Sequence, residues 1–244
     1  MEAPTAGAEK TAIAAIICAA GSSHRMKGLK KEYRPLPDDS GLTVLGAAVS
    51  AFVPFVETVV IAVPAGAGIG EAAARRALPP ELLAGGGRRI LFVSGGNTRR
   101  VSVHRALSLL AACPPRYVLI HDGARPWIKA SLIERVIEAV QKYRAVIPLL
   151  PLTETPKETD SPVGAADPVF IKRHLRRALT GAAQTPQAFA FPEILAAHER
   201  AAKCERDGAE YTDDAEVWGA FVGPVAAIPG SPENRKITFP EDLL

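Results

Sequence analysis

Cysteine is scarce in this chain: Cys18, Cys113 and Cys204 are the three among 244 residues. An odd number, far apart and not in metal-ligand spacing, implies a reducing compartment with no structural disulfide. Cys18 lies inside an apolar run and reads as a small core residue. Long hydrophobic runs are also missing. The longest near the start, residues 12–20, is far too short to cross a bilayer. Glu2 and Glu9 precede it and a basic segment follows, which argues against a signal peptide. Charge of one sign is not in excess. The net charge is +3 and basic residues are spread along the chain, so neither a nucleic-acid partner nor a membrane partner is expected. The five histidines show no metal-pair spacing, and no Ser-His-Asp or Cys-His arrangement can be argued. The phosphate-loop pattern G-x-x-x-x-G-K-[ST] and the dinucleotide pattern G-x-G-x-x-G are both absent, which disfavours a dinucleotide-dependent oxidoreductase.

What is present is apolar mass and a strand–helix alternation. Hydrophobic residues make up 48% of the chain, enough for a sizeable core. Short, continuously apolar segments at 13–19, 58–63, 89–93, 117–121, 145–150 and 224–228 read as strands covered on both faces. Segments 44–52, 99–111, 131–142 and 192–203 carry apolar residues at helical spacing. The alternation predicts an α/β fold, a doubly wound, mostly parallel sheet. The length suits one domain, taken as 11–244, after a disordered leader at 1–10. Residues from about 151 to 183 break the rhythm with prolines and a basic cluster, Lys172, Arg173, His174, Arg176 and Arg177. That stretch is too long for a plain connection and reads as an arm that leaves the sheet and returns at Q-T-P-Q-A-F.

Positive charge gathers in one place. The apolar run I-I-C-A-A stops at Gly21, and within thirteen residues come His24, Arg25, Lys27, Lys30, Lys31 and Arg34 against Glu32 alone. In open α/β sheets, ligands bind beyond the carboxyl ends of strands. A glycine there lets backbone N–H groups approach an anion, and Arg25, Lys30 and Lys31 are suited to neutralise a polyphosphate. A solvated basic turn is the competing reading.

Four further segments invite the same two-sided reading. Asp122 and Arg125 in H-D-G-A-R-P end a predicted strand, where Asp122 suits a magnesium ion and Arg125 a phosphate, or the two simply fix a turn. S-G-G-N-T-R-R-V-S, residues 94–102, suits a base, a ribose or a phosphate at a helix start, or ordinary strand-to-helix punctuation. Asp213 and Asp214 after Thr212 read first as an N-cap with acids favouring the helix dipole. Lys236, in N-R-K-I-T, either bridges phosphates or is merely exposed.

Taken together, A-A-G-S-S-H-R-M with K-K-E-Y, S-G-G-N-T-R-R-V-S-V, H-D-G-A-R-P, T-P-K, Q-T-P-Q-A-F, T-D-D-A and N-R-K-I-T-F-P-E-D-L resemble, in order, the 2-C-methyl-D-erythritol 4-phosphate cytidylyltransferases. The resemblance spans residues 13–244. It implies transfer of CMP from CTP to a sugar-alcohol phosphate in the non-mevalonate isoprenoid pathway. It also implies a Rossmann-like nucleotidyltransferase fold, a divalent cation such as Mg2+, a cytoplasmic location and a homodimer joined by the arm. By matching positions, Ala19, Ala20, Gly21 and Gly123 line the nucleotide, and Gly96, Asn97 and Ser102 contact base and ribose. Arg25 and Lys31 hold the triphosphate, and Lys236 meets the reacting phosphates. Asp122 holds the metal on the substrate side, while Arg125, Thr155, Arg177 and Thr212 receive the alcohol phosphate, Arg177 and Thr212 across the dimer.

Departures from the family pattern are Ser23 for a glycine, Lys30 for a proline, Asn97 for an acid, Gly123 for an alanine and Glu154 for an aspartate. None removes a charge the chemistry needs. Lys31, two residues before Tyr33, is the expected catalytic lysine. The A-A-G loop favours the erythritol substrate over ribitol 5-phosphate, whose cytidylyltransferases more often carry A-G-G. The retained cations argue against a non-catalytic nucleotide-binding module.

Overall fold

The structure, a computed structural model, describes residues 12–21, 30–38, 40–66, 68–84, 89–164, 168–204 and 211–243. Its centre is β1 (Ile13–Cys18), an all-apolar segment with five of six residues buried. A strand with no polar side is stable only where both faces are covered. β1 pairs in parallel with β2 (Thr58–Val63) on one side and β4 (Tyr117–Asp122) on the other. β3 (Arg89–Ser94) adds to β2 in parallel and forms the edge. Beyond β4 the order continues β9 (Gln187–Ala190), β5 (Ala145–Pro151), β10 (Ala226–Pro229). β9 runs antiparallel to both its neighbours, while β10 is parallel to β5.

All six predicted strands are therefore present; Thr58–Val63 keeps its expected limits and the other five shift by one or two residues at one or both ends. β3 extends to Ser94, and the last strand starts at Ala226, after Pro224. β9 is a strand that the sequence pattern does not predict. Its four residues are all buried between β4 and β5, so tertiary burial overrides a run too short to signal itself.

The helices divide by their contacts. α1 (Val44–Phe52) touches β1, α2 (Ile69–Ala77) and α5 (Ala130–Tyr143), whereas α4 (Arg99–Leu110) touches β1, β2, β3 and α6 (Phe191–Cys204), which touches α7 (Asp214–Phe221). The short α3 (Pro80–Leu83) lies between α2 and β3 in the chain. Caps set the helix starts: Thr43 accepts from the Gly46 N–H and Thr98 from the Val101 N–H. Between the two layers lie Ile16, Ile17, Phe52, Leu107, Leu119, Ile120, Leu132 and Phe189, each fully buried. Each such side chain contributes about 1.5–3 kcal/mol relative to exposure.

The arm is a hairpin of β6 (Lys157–Thr159) and β7 (Ile171–His174), antiparallel and almost wholly exposed. Its return differs from expectation. The chain rejoins the sheet at β8 (Gly181–Ala183), antiparallel to β5, before Q-T-P-Q-A-F begins. Val163, Phe170, Ile171 and Leu179 remain exposed on the arm. No helix among the described residues is long and apolar enough to cross a membrane. The predicted leader lies outside the described residues.

Candidate active site

Register puts three chain ends at one level. Cys18 of β1 aligns with Ala62 of β2 and with Asp122 of β4. The sheet order reverses between β1 and β4, and beyond the carboxyl ends of such strands a crevice opens. Ala19 and Ala20 leave β1 into this crevice. The Ala19 N–H is committed to the Ala62 carbonyl at 2.9 Å, so this residue shapes the wall rather than donating to a ligand. Gly21 is exposed. Gly95, after β3, packs so closely that an added Cβ would lie 2.3 Å from the Ala20 Cβ. Glycine is required there by close approach, not by an unusual turn.

Asp122 is the hub. Lys236 Nζ lies 2.8 Å from its Oδ2, Arg125 Nε 3.6 Å from the same oxygen, and Arg99 Nε 3.4 Å from Oδ1. Burial alone would raise the Asp122 pKa. The charges of Arg99, Lys236 and Arg125 outweigh it and hold the carboxyl far below the usual range. Burial has the opposite use at Cys18, pushing its thiol up to about 12, so it offers no thiolate nucleophile. The cluster concentrates three cations around one carboxylate, an excess of positive charge suited to an anion.

Hydrogen bonds from distant segments hold this hub. The Asp122 N–H donates to Thr185 Oγ1 at 3.1 Å, and Thr185 Oγ1 lies 3.0 Å from His121 Nδ1. His121 Nε2 lies 3.1 Å from the Arg125 carbonyl, which can only accept. Nε2 therefore carries the proton and Nδ1 accepts from the threonine. Burial lowers the His121 pKa to about 4, consistent with a neutral ring. Asn234, fully buried, donates to the Thr185 carbonyl at 2.7 Å, and its own backbone carbonyl accepts from Arg125 Nη1 at 2.7 Å. Asn234 thus pins the C-terminal segment where Lys236 meets Asp122. Lys31 is also buried, its Nζ donating to the Ile237 carbonyl at 2.6 Å, while Lys30 Nζ donates to the Gly21 carbonyl at 2.6 Å.

The structure unites Asp122, Arg125 and Lys236 directly and brings Lys31 to the residue beside Lys236. Gly123 follows Asp122, its Cα facing the Cys18 carbonyl, which an added Cβ would approach to 3.0 Å. Gly96 and Asn97 form the neighbouring loop after β3, and Ser102 lies in the first turn of α4. Asn97 is exposed, whereas Ser102 is buried beneath the loop, accepting from the Gly96 N–H at 3.0 Å and donating to the Thr98 carbonyl at 2.9 Å. Thr155 and Arg177 lie on the exposed arm, with Arg177 Nη1 donating to the Thr153 carbonyl. Thr212 donates from its N–H and its hydroxyl to Glu216. Arg25 and Ser23 lie outside the described residues.

A match to the family model described as 2-C-methyl-D-erythritol 4-phosphate cytidylyltransferase extends over residues 13–244. The chain belongs to this family. It is 39% identical over 239 residues to the bifunctional enzyme IspD/IspF of Nitrobacter hamburgensis, covering 95% of this chain and 53% of that protein. It is 36% identical to the Bartonella henselae enzyme of the same name, covering 95% and 55%. The chain thus spans about half the length of these curated relatives. Among solved structures, the 2-C-methyl-D-erythritol 4-phosphate cytidylyltransferase of Thermus thermophilus is 31% identical with a TM-score of 0.67, covering 93% of this chain and 94% of that one. The 4-diphosphocytidyl-2C-methyl-D-erythritol synthase of Anaerococcus prevotii is 27% identical with a TM-score of 0.74, covering 96% of both. Both cover more than nine tenths of this chain, so the family's nucleotidyltransferase fold is the fold described above.

The contacts also mark what sequence reasoning missed. Arg99, Thr185, His121 and Asn234 all touch the hub or its supports; each lies inside a motif quoted above, but nothing in those motifs gives it a role. Asp213 does cap α7, accepting from the Glu216 N–H at 2.9 Å. Asp214 is an acid of the first turn of α7, as expected, but it does not face solvent. It is 1% exposed and takes Arg99 Nη1 on Oδ2 at 2.7 Å. The signal available was its place one residue inside the helix, where a first-turn acid faces either solvent or core.

Proposed function

We propose that this chain transfers CMP from CTP to 2-C-methyl-D-erythritol 4-phosphate, giving 4-diphosphocytidyl-2-C-methyl-D-erythritol and pyrophosphate for isoprenoid synthesis. The observation that carries this reading is the gathering of Lys236, Arg125 and Arg99 on Asp122 at the strand-order reversal, in a chain of this family. A phosphate oxygen of the alcohol phosphate attacks the α-phosphorus of CTP. The new P–O bond forms as the bond from the α-phosphorus to the bridging oxygen breaks, and pyrophosphate carries the electron pair away. Two anions must meet, so charge neutralisation and alignment supply most of the acceleration. In this reading the charges of Lys236, Lys31 and Arg25 serve the triphosphate, and Arg125, Thr155, Arg177 and Thr212 serve the alcohol phosphate. The monoester is already largely ionised at neutral pH, so no strong base is needed.

Among the described residues no group of three acidic, histidine or cysteine side chains could cage a metal. A lone carboxylate still suits magnesium, which takes one or two protein oxygens and completes its shell from phosphates and water. Asp122, strongly ionised, is the residue that would hold it, and bound magnesium would supply charge at the triphosphate. We further read residues 11–244 as one catalytic domain acting in the cytoplasm, and the arm, with Val163, Phe170, Ile171 and Leu179 uncovered, as a homodimer contact.

Pyrophosphate release, measured with CTP, magnesium and either 2-C-methyl-D-erythritol 4-phosphate or ribitol 5-phosphate, tests the reading. Turnover with the erythritol substrate at least tenfold above that with ribitol 5-phosphate is expected. The reverse order would overturn the substrate, and silence with both would overturn the activity.

A further inference from the structure

The mechanism leaves one buried carboxylate unused. Asp214, at the start of α7, holds Arg99 Nη1 on its Oδ2 at 2.7 Å. Behind it His198 of α6, fully buried, places Nε2 3.2 Å from Asp214 Oδ1. In front, the same Arg99 presents Nε to Asp122 Oδ1 at 3.4 Å. One guanidinium is thus gripped by two carboxylates from different layers, one at the hub and one in the interior.

Stability alone is a poor reason for this arrangement. A buried ion pair returns little over a well-packed apolar substitute, because desolvation offsets the attraction. The geometry suggests a different use. Asp122 Oδ2 is neutralised by Lys236, a 37% exposed side chain on a loop. A triphosphate draws such a lysine toward itself. Arg99 cannot follow, since Asp214 holds its other end, so Oδ1 stays compensated and the carboxylate keeps its orientation while Lys236 moves.

We propose that Asp214 and Arg99 are positioning residues: Asp214 anchors the Arg99 guanidinium, and the anchored guanidinium fixes the Asp122 carboxylate against which Lys236 and the phosphates align. The inference rests on the reading of Asp122 as part of a CTP site. A plain staple between α4 and α7 would use the same contacts and serve only the fold.

A double-mutant cycle separates the two, because residues acting through one another are non-additive. Asp214→Asn, Asp122→Asn and the double variant are compared with the unaltered chain for kcat, for KM toward CTP, for CTP Kd by calorimetry and for Tm. Asp214→Asn is expected to lower kcat roughly tenfold to a hundredfold, the scale of a small misplacement of reacting groups, with KM nearly unchanged. In the Asp122→Asn background that loss should shrink to less than about twofold, while the Tm decrease stays the same. Equal losses in both backgrounds, or a lower Tm with unchanged kcat, would overturn the proposal. Arg99→Gln, nearer the surface, runs the same cycle should Asp214→Asn not fold. Where the Asp122 variants turn over too slowly, non-additive changes in CTP Kd decide the point, with additive changes overturning it. Should the unaltered chain release no pyrophosphate with any alcohol phosphate, the proposed activity fails, and the CTP Kd cycle still judges the linkage.

Discussion

Lys236 Nζ and Asp122 Oδ2 lie 2.8 Å apart, joining the C-terminal segment to the end of the central strand β4. The pair closes the crevice with the group expected to meet the reacting phosphates. Lys236→Ala should lower kcat by roughly 10²–10³, the usual scale for a lost charge-stabilising donor. Asp122 keeps Arg99 and Arg125, so Tm should change little. Steady-state kinetics with thermal melts check this, and a kcat within threefold of the unaltered chain would remove Lys236 from the chemistry.

Lys30 and Lys31 are neighbours in sequence with different surroundings. Lys31 is buried against the Ile237 carbonyl beside Lys236, whereas Lys30 reaches the Gly21 carbonyl. Lys31→Ala should cost about a hundredfold or more in turnover, and Lys30→Ala less than about fivefold. Greater damage from Lys30→Ala would reassign the triphosphate lysine.

Gly95 leaves no room for a side chain. Gly95→Ala would set a methyl 2.3 Å from the Ala20 Cβ, and one of the two loops must yield. We expect a stability loss of about 1–3 kcal/mol and a KM for CTP raised several-fold. Denaturant melts and substrate titration measure the two effects; no change in either would place the loops further apart than described.

Acid should loosen the hub through His121. Its folded pKa is lowered by burial from 6.5 to about 4, so between those values the unfolded chain binds a proton that the folded chain refuses. Stability is then fully present above about pH 6.5 and lost as pH falls toward 4, by an amount on the order of 3 kcal/mol. Asp122 and Asp214, with depressed folded values, add loss in the same direction only at lower pH. Tm measured from pH 7 to 4.5 should fall, and His121→Asn, if folded, should flatten that slope. An equally steep slope in the variant would exclude His121 as its source.

The arm tests the dimer. Arg177 sits on the exposed excursion, tied only locally to the Thr153 carbonyl among the described contacts. Lys236→Ala and Arg177→Ala should each be nearly inactive. If Arg177 serves the opposite subunit, refolding the two together makes heterodimers with one intact site, and about a quarter of full activity returns under random assortment. If it serves its own chain, mixing restores nothing, with subunit exchange verified by a mass tag.

The local elements were legible in the sequence. β2 and α1 run over the residues expected, 58–63 and 44–52, because a continuous apolar run and an apolar helical period are properties of neighbouring residues. Gly21, Asp122 and Lys236 stood out for the same reason, as chemistry placed at strand ends and in short motifs. The antiparallel insertion of β9, the return of the arm at Gly181 and the burial of Asp214 did not. Asp213 and Asp214 are adjacent identical residues, yet one caps a helix and the other is buried against Arg99. Arg99 and Asp214 are 115 residues apart in the chain. Short-range pattern specifies which segments form helices and strands. Which polar groups must pair is decided only when packing carries distant segments out of water and leaves them no other partner.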